Sequence, residues 1–105
     1  MGGTSAYEVL FHPEVEGDLR RCPANIGERI LKAVEKRLGA APDRYGVRLR
    51  QSLFGFWKLR VGDYRVVYEI VGREVRVFGV MHRREVYGRI QGRADRGWAG
   101  RGERI

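Results

Sequence analysis

Apolar and polar residues alternate along residues 57–81 with a period of two, the signature of strands that bury one face and turn the other outward. Trp57-Lys58-Leu59-Arg60-Val61 is followed by Gly62-Asp63, then by residues 64–71, then by Gly72-Arg73, then by residues 74–81. Two-residue connections of this composition close tight hairpins, so the pattern predicts an antiparallel three-strand meander. With Gly62-Asp63 as the turn, Val61 faces Tyr64, Arg60 faces Arg65, Leu59 faces Val66, Lys58 faces Val67 and Trp57 faces Tyr68. One face then gathers Trp57, Leu59, Val61, Tyr64, Val66, Tyr68, Ile70, Val75 and Val77. The other gathers Lys58, Arg60, Arg65 and Arg76 with Val67, Glu69, Phe78 and Val80.

Upstream, Tyr7-Glu8-Val9-Leu10-Phe11 reads as a short strand that ends at His12-Pro13. Pro13 suits a helix start, and Glu14, Glu16 and Asp18 lie toward the positive end of that helix's dipole, with Arg20 and Arg21 at the other end. After Cys22-Pro23, Ile26, Ile30, Val34 and Leu38 recur every fourth residue and predict a second helix over residues 24–39. The two form an αα-hairpin whose apolar stripe matches the apolar sheet face, so the fold class is α+β with helices on one face of the sheet. Residues 40–55 read mostly as loop, with a brief alternation at Val47-Arg48-Leu49-Arg50. Residues 82–90 leave the last strand as a short polar turn or helix carrying Tyr87. Residues 91–105 are rich in Gly and Arg and read as a disordered basic tail, which places one domain at residues 1–90.

A length of 105 residues fits that single domain, and 43% hydrophobic with 32% charged residues suits a folded, water-soluble protein. No apolar run reaches the ~20 residues of a membrane span, and residues 1–6 lack the apolar stretch of a secretory signal, so a cytoplasmic protein without membrane attachment is expected. One cysteine, Cys22, allows neither an internal disulfide nor a zinc cluster. The net charge is +8, and it is uneven. Residues 1–43 hold 6 basic and 7 acidic side chains, a net of −1; residues 44–105 hold 15 and 6, a net of +9. Such a field favours polyanionic partners.

The polar sheet face carries the candidate chemistry. Arg60 and Arg65 are expected to be direct cross-strand neighbours, an unfavourable placement of like charges unless an anion such as phosphate lies between them. The last strand then delivers His82, Arg83 and Arg84, and Tyr87 follows. Cleaving an RNA phosphodiester without a metal requires removal of the 2′-hydroxyl proton, stabilisation of charge on the phosphoryl oxygens and protonation of the leaving 5′-oxygen. Arginine and lysine suit the second task, histidine, lysine or tyrosine the others. A carboxylate cluster, a metal-ligand spacing, a nucleophile elbow and a phosphate-binding Walker loop are all missing from the sequence, so neither a metal nor a small-molecule cofactor is expected.

Three stretches together resemble the RelE branch of the RelE/ParE toxin superfamily: Tyr7-Glu8-Val9-Leu10-Phe11-His12-Pro13-Glu14-Val15, the run from Trp57-Lys58-Leu59-Arg60 through Gly62-Asp63-Tyr64-Arg65 to Tyr68-Glu69, and His82-Arg83-Arg84-Glu85-Val86-Tyr87. The resemblance implies a toxin of a type II toxin–antitoxin system, an mRNA interferase that inhibits translation in a stress response. Such a toxin cuts translated mRNA in the ribosomal A site and is held by a RelB-like antitoxin. It implies catalytic roles for Lys58, Arg65, Arg83 and Tyr87, with His82 or Tyr87 as the general base, and places Arg60 in the same motif; Arg60, Arg76 by its place on the polar sheet face, and Arg84 by its place after the last strand, are the expected RNA contacts. Phe56 stands where some active members carry a further lysine. Two other readings share the scaffold: a ParE-like inhibitor of DNA gyrase that cuts nothing, and a non-catalytic member that binds RNA or its antitoxin. An acidic antitoxin segment is expected to cover Arg65 and Tyr87 or to displace the segment bearing Tyr87.

Overall fold

A computed structural model describes residues 6–98. Strand β1 (Glu8–Phe11) leads into helix α1 (Val15–Arg20) and, after the Pro23 turn, helix α2 (Ala24–Ala33), which continues as a π-helical turn, Val34–Leu38. A single-turn helix α3 (Pro42–Tyr45), a two-residue strand β2 (Val47–Arg48) and a 3₁₀ turn (Gln51–Leu53) fill the stretch read as loop. Strands β3 (Trp57–Val61), β4 (Tyr64–Val71) and β5 (Glu74–His82) form the meander, and helix α4 (Val86–Asp95) closes the fold.

The five strands make one mixed sheet in the order β1-β5-β4-β3-β2, with β1 parallel to β5 and the other pairs antiparallel. The β3–β4 register is the expected one at all five pairs, Trp57 with Tyr68 through Val61 with Tyr64. The αα-hairpin packs on the apolar face: Ile30, Val34 and Leu38 are buried against Leu59, Val66, Tyr68, Val75 and Val77. At about 1.5–3 kcal/mol for each large side chain removed from water, this cluster is the main source of stability. Tyr68 is fully buried, and its hydroxyl donates to the Pro42 carbonyl at 2.6 Å, which fastens α3 to the sheet. Gly46 is required here, because a Cβ at that position would collide with the Tyr68 ring and hydroxyl.

The opposite face departs from a solvated polar surface. A register shift in β5 opposite Val67/Tyr68 inserts one residue, so that Tyr68 pairs with Val77 and Val67 with Gly79. Beyond the bulge the alternation reverses: Val80, expected beside Lys58, packs with the αα-hairpin core, while Phe78 and Met81 join Leu49, Leu53, Val67, Val86 and Ile90 in a second core beneath α4. The expected boundary at residue 90 falls inside α4, so residues 91–98 are part of the folded unit rather than a disordered tail; residues 99–105 of that expected tail lie outside the described residues. Arg93 is buried, and its guanidinium donates to Asp18 at 2.7 and 3.2 Å and to the Phe78 carbonyl at 2.9 Å. The Val80 N–H donates to the same Asp18 carboxylate at 3.0 Å. Strand β1 pairs with β5 only as far as Val77. Past that point the ion pair supplies the partners that a longer β1 would have given. Asp18, in the first turn of α1 as expected, is thus also a buried anchor.

Candidate active site

Lys58 and Arg60 lie two apart on β3 and share one face of the sheet, and Arg65 of β4 is directly opposite Arg60. Helix α4 lies over the inner part of this face and brings Tyr87 to its edge. The Lys58 ammonium donates to the Tyr87 phenol oxygen at 2.7 Å, with Nζ 5.4 Å from the ring centroid. The phenol oxygen accepts from lysine and keeps its own hydrogen for donation to another partner.

An adjoining cleft, about 500 Å³, is floored by Lys58 and Tyr87 and walled by residues 47–53 and Gln91. Leu49 and Leu53 bury their side chains in the second core, while Arg48 and Arg50 are exposed; the Arg48 guanidinium lies 5.0 Å from the centroid of the Trp57 ring, its cross-strand partner on the helix side of the sheet. The Ser52 hydroxyl donates to the Gln91 side-chain oxygen at 2.7 Å and ties this wall to α4. Gln51 holds a left-handed backbone with φ of 56°, a conformation that costs a non-glycine residue about 1–3 kcal/mol. Arg48, Arg50, Ser52 and Gln91 were not singled out by sequence. The alternation at Val47-Arg48-Leu49-Arg50, with one buried leucine between two exposed arginines, was the available signal.

The remaining expected site residues divide. Arg65 and Arg83 gather at the β3–β4 turn. Arg65 donates to the carbonyls of Gly62 at 3.0 Å and Tyr64 at 2.9 Å, and Arg83 lies 3.6 Å from the Asp63 carboxylate. Arg60 lines a separate cleft with residues of α2. His82 is not beside Lys58: the bulge places it opposite Tyr64, with the rings edge-on at 5.5 Å on the helix side of the sheet. Arg76 is held by Glu74 at 3.1 Å and Glu69 at 3.9 Å and sits over the Trp98 ring, apart from the cleft. Arg84 is exposed next to His82, whose Nδ1 accepts its backbone N–H at 3.2 Å. Phe56 packs edge-on against Phe78 at 4.9 Å and is a core residue. Burial raises the Cys22 thiol above its ordinary value, which fits an inert core cysteine. Among the described residues no three metal-ligating side chains cluster, and no helix is long and apolar enough to cross a membrane.

A family model described as the ParE toxin of the type II toxin–antitoxin system parDE matches residues 9–87. The chain belongs to the RelE/ParE superfamily of type II toxins. The toxin is 37% identical over 70 residues to toxin RelE of Mycobacterium tuberculosis, covering 67% of this chain and 72% of that protein. It is 32% identical over 85 residues to toxin RelG of the same organism, covering 79% and 98%. Among solved structures, the toxin resembles the RelBE2 toxin–antitoxin complex of Mycobacterium tuberculosis with a TM-score of 0.70 and 30% identity, over 73% of this chain and 98% of that one. The expected family and the α+β fold class both hold.

Proposed function

We propose that this toxin is a metal-independent endoribonuclease that cuts translated mRNA at the ribosomal A site and is neutralised by a RelB-type antitoxin. The observation that carries the reading is the Lys58–Tyr87 hydrogen bond at the floor of a cleft walled by residues 47–53. In this reading the 2′-oxygen attacks phosphorus and the 5′-oxygen leaves. The proton lost from the 2′-hydroxyl and the proton gained by the 5′-oxygen pass through groups at the cleft, with Tyr87 as the proton-transfer group in place of the more distant His82. Lys58 holds the phenol and, with Arg65 and Arg83 reoriented from the turn, bears on the phosphoryl charge. Arg60 and Arg84 then meet the RNA backbone. The similarity to toxins named RelE and RelG, at 37% and 32% identity, supports this over a gyrase inhibitor. The gyrase reading has one observation of its own, the ParE description of the matching family model.

The test is cleavage of mRNA on translating ribosomes. Lys58→Met and Tyr87→Phe should each slow single-turnover cleavage by about 10²-fold or more, with unchanged thermal melting, since both groups are at the surface. Chelators should leave the rate unaltered. Full cleavage by the double variant would overturn the assignment. Inhibition of gyrase supercoiling without any RNA cleavage would establish the second reading.

A further inference from the structure

A second cluster of cations lies outside the Lys58–Tyr87 cleft. Arg29, Lys32, Lys36 and Arg37 project from α2 and its π-helical continuation, and together with Arg60 of β3 they line a cleft of about 320 Å³ with no carboxylate in its wall. All five are exposed, and none makes an ion pair among the described residues, although Glu28 and Glu35 stand on the same helical stretch. Unpaired cations held together on a folded surface repel one another, and a bound polyanion would relieve that repulsion. On this stretch β3 is an open edge, because β2 pairs only with Trp57 and Lys58.

We propose that this cleft binds the phosphate backbone of RNA, as a second contact site continuous with the cutting site. Two observations favour RNA over an acidic protein segment. Arg60 of this cleft stands two residues from Lys58 on β3 and across from Arg65, so β3 links the α2 cations to the strand that carries Lys58 and, through it, to Tyr87. The Arg37 guanidinium stands 6.0 Å from the centroid of the exposed Tyr45 ring, which gives the rim an aromatic face of the kind on which bases stack. The inference rests on the RNA-directed reading above for the identity of the polyanion. It adds that grip on RNA and cleavage of RNA are carried by separate residues.

The experiment is fluorescence anisotropy with a labelled single-stranded RNA of about 16 nucleotides and the full chain carrying Tyr87→Phe. Adding Arg29→Gln, Lys32→Gln and Lys36→Gln should weaken binding about tenfold or more and flatten the slope of log K against log salt by about 2, at roughly 0.7 per lost phosphate contact. The charge-keeping pair Lys32→Arg, Lys36→Arg should bind as the parent does. Unchanged affinity and slope in the triple variant would overturn the proposal. So would retained RNA binding with lost binding of a labelled polyglutamate peptide, which would assign the cleft to an acidic protein partner. RNA binding through the cleft by an unsubstituted chain that cuts no mRNA would sustain this proposal and remove the nuclease reading alone.

Discussion

On the α2 side the sheet is closed by aliphatic side chains that interdigitate, and almost nothing polar lies between them. On the α4 side the closure is centred on an ion pair, with Asp18 and Arg93 both buried and Glu14 reaching Arg93 at 3.1 Å and Arg96 at 3.1 Å from the rim. The described buried nitrogens without a hydrogen-bond partner, His12 Nε2, Arg93 Nε and Trp98 Nε1, also lie on this side. The first face therefore tolerates conservative change, whereas the second, which holds Tyr87 over Lys58, depends on a few specific contacts.

The largest effect should follow from breaking the ion pair. Arg93→Ala removes the nearest cation from the buried Asp18 carboxylate, leaving Arg21 and Arg89 at 3.8 and 3.9 Å, and should cost about 3 kcal/mol in urea unfolding. Ile30→Val, in the middle of the apolar face, should cost only about 0.5–1.5 kcal/mol. A chain ending at Ile90 loses Arg93 and the packing of Trp98 together and should unfold at a lower temperature than Arg93→Ala. A cost below 1 kcal/mol for Arg93→Ala would show that apolar packing under α4 suffices and that the two faces are alike.

A smaller effect is expected where backbone approaches side chain. A Cβ on Gly79 would come within 2.7 Å of the Ile90 Cδ1, 2.9 Å of the Met81 Cε and 3.0 Å of an Arg93 terminal nitrogen. Gly79→Ala should therefore push α4 outward and cost about 1–3 kcal/mol, and it should expose Trp98 to fluorescence quenchers. Unaltered quenching would mean that the side chains yield without moving the helix.

The contrast also explains what the sequence disclosed. The apolar face is written in period-two alternation and period-four helix spacing, so the β3–β4 register and the αα-hairpin were readable residue by residue. The α4 face hinges on a bulge, and a bulge changes parity without changing composition. The same inserted residue that moved Val80 into the helix-side core carried His82 with it, so a proton-transfer candidate left the Lys58 face. Gly79 inside an apolar strand was the local sign of that bulge. Helix α4 was half visible as Val86, Ile90 and Ala94 at four-residue spacing, but Gly88, Gly92 and the arginines between them have the composition of a tail. Arg93 meets Asp18 across 75 residues, and no periodicity marks such a partner. The placement of Lys58, Arg60 and Arg65 on β3 and β4 followed from register, and Tyr87 meets Lys58 only because α4 folds back.

The smallest effect separates the faces by pH. His12 is buried beneath Trp98 and Phe78, and its Nδ1 accepts the Glu14 backbone N–H at 3.1 Å. Burial lowers its pKa from the ordinary 6.5; Arg93 and Arg96 act in the same direction, and Glu14 and Asp18 oppose them. In the unfolded chain the imidazole takes up its proton near 6.5, whereas in the folded chain it does so only at lower pH. As pH falls through and below 6.5, the unfolded state binds more protons, so the stability that neutral His12 contributes is present above that value and is progressively lost beneath it. His12→Asn keeps an acceptor for the Glu14 N–H and removes the titration. Between pH values of about 8 and 5.5, its urea midpoint should fall less than that of the unsubstituted chain. Equal falls in both proteins would place the acid sensitivity on other groups and remove His12 from the account of why the α4 face is the weaker one.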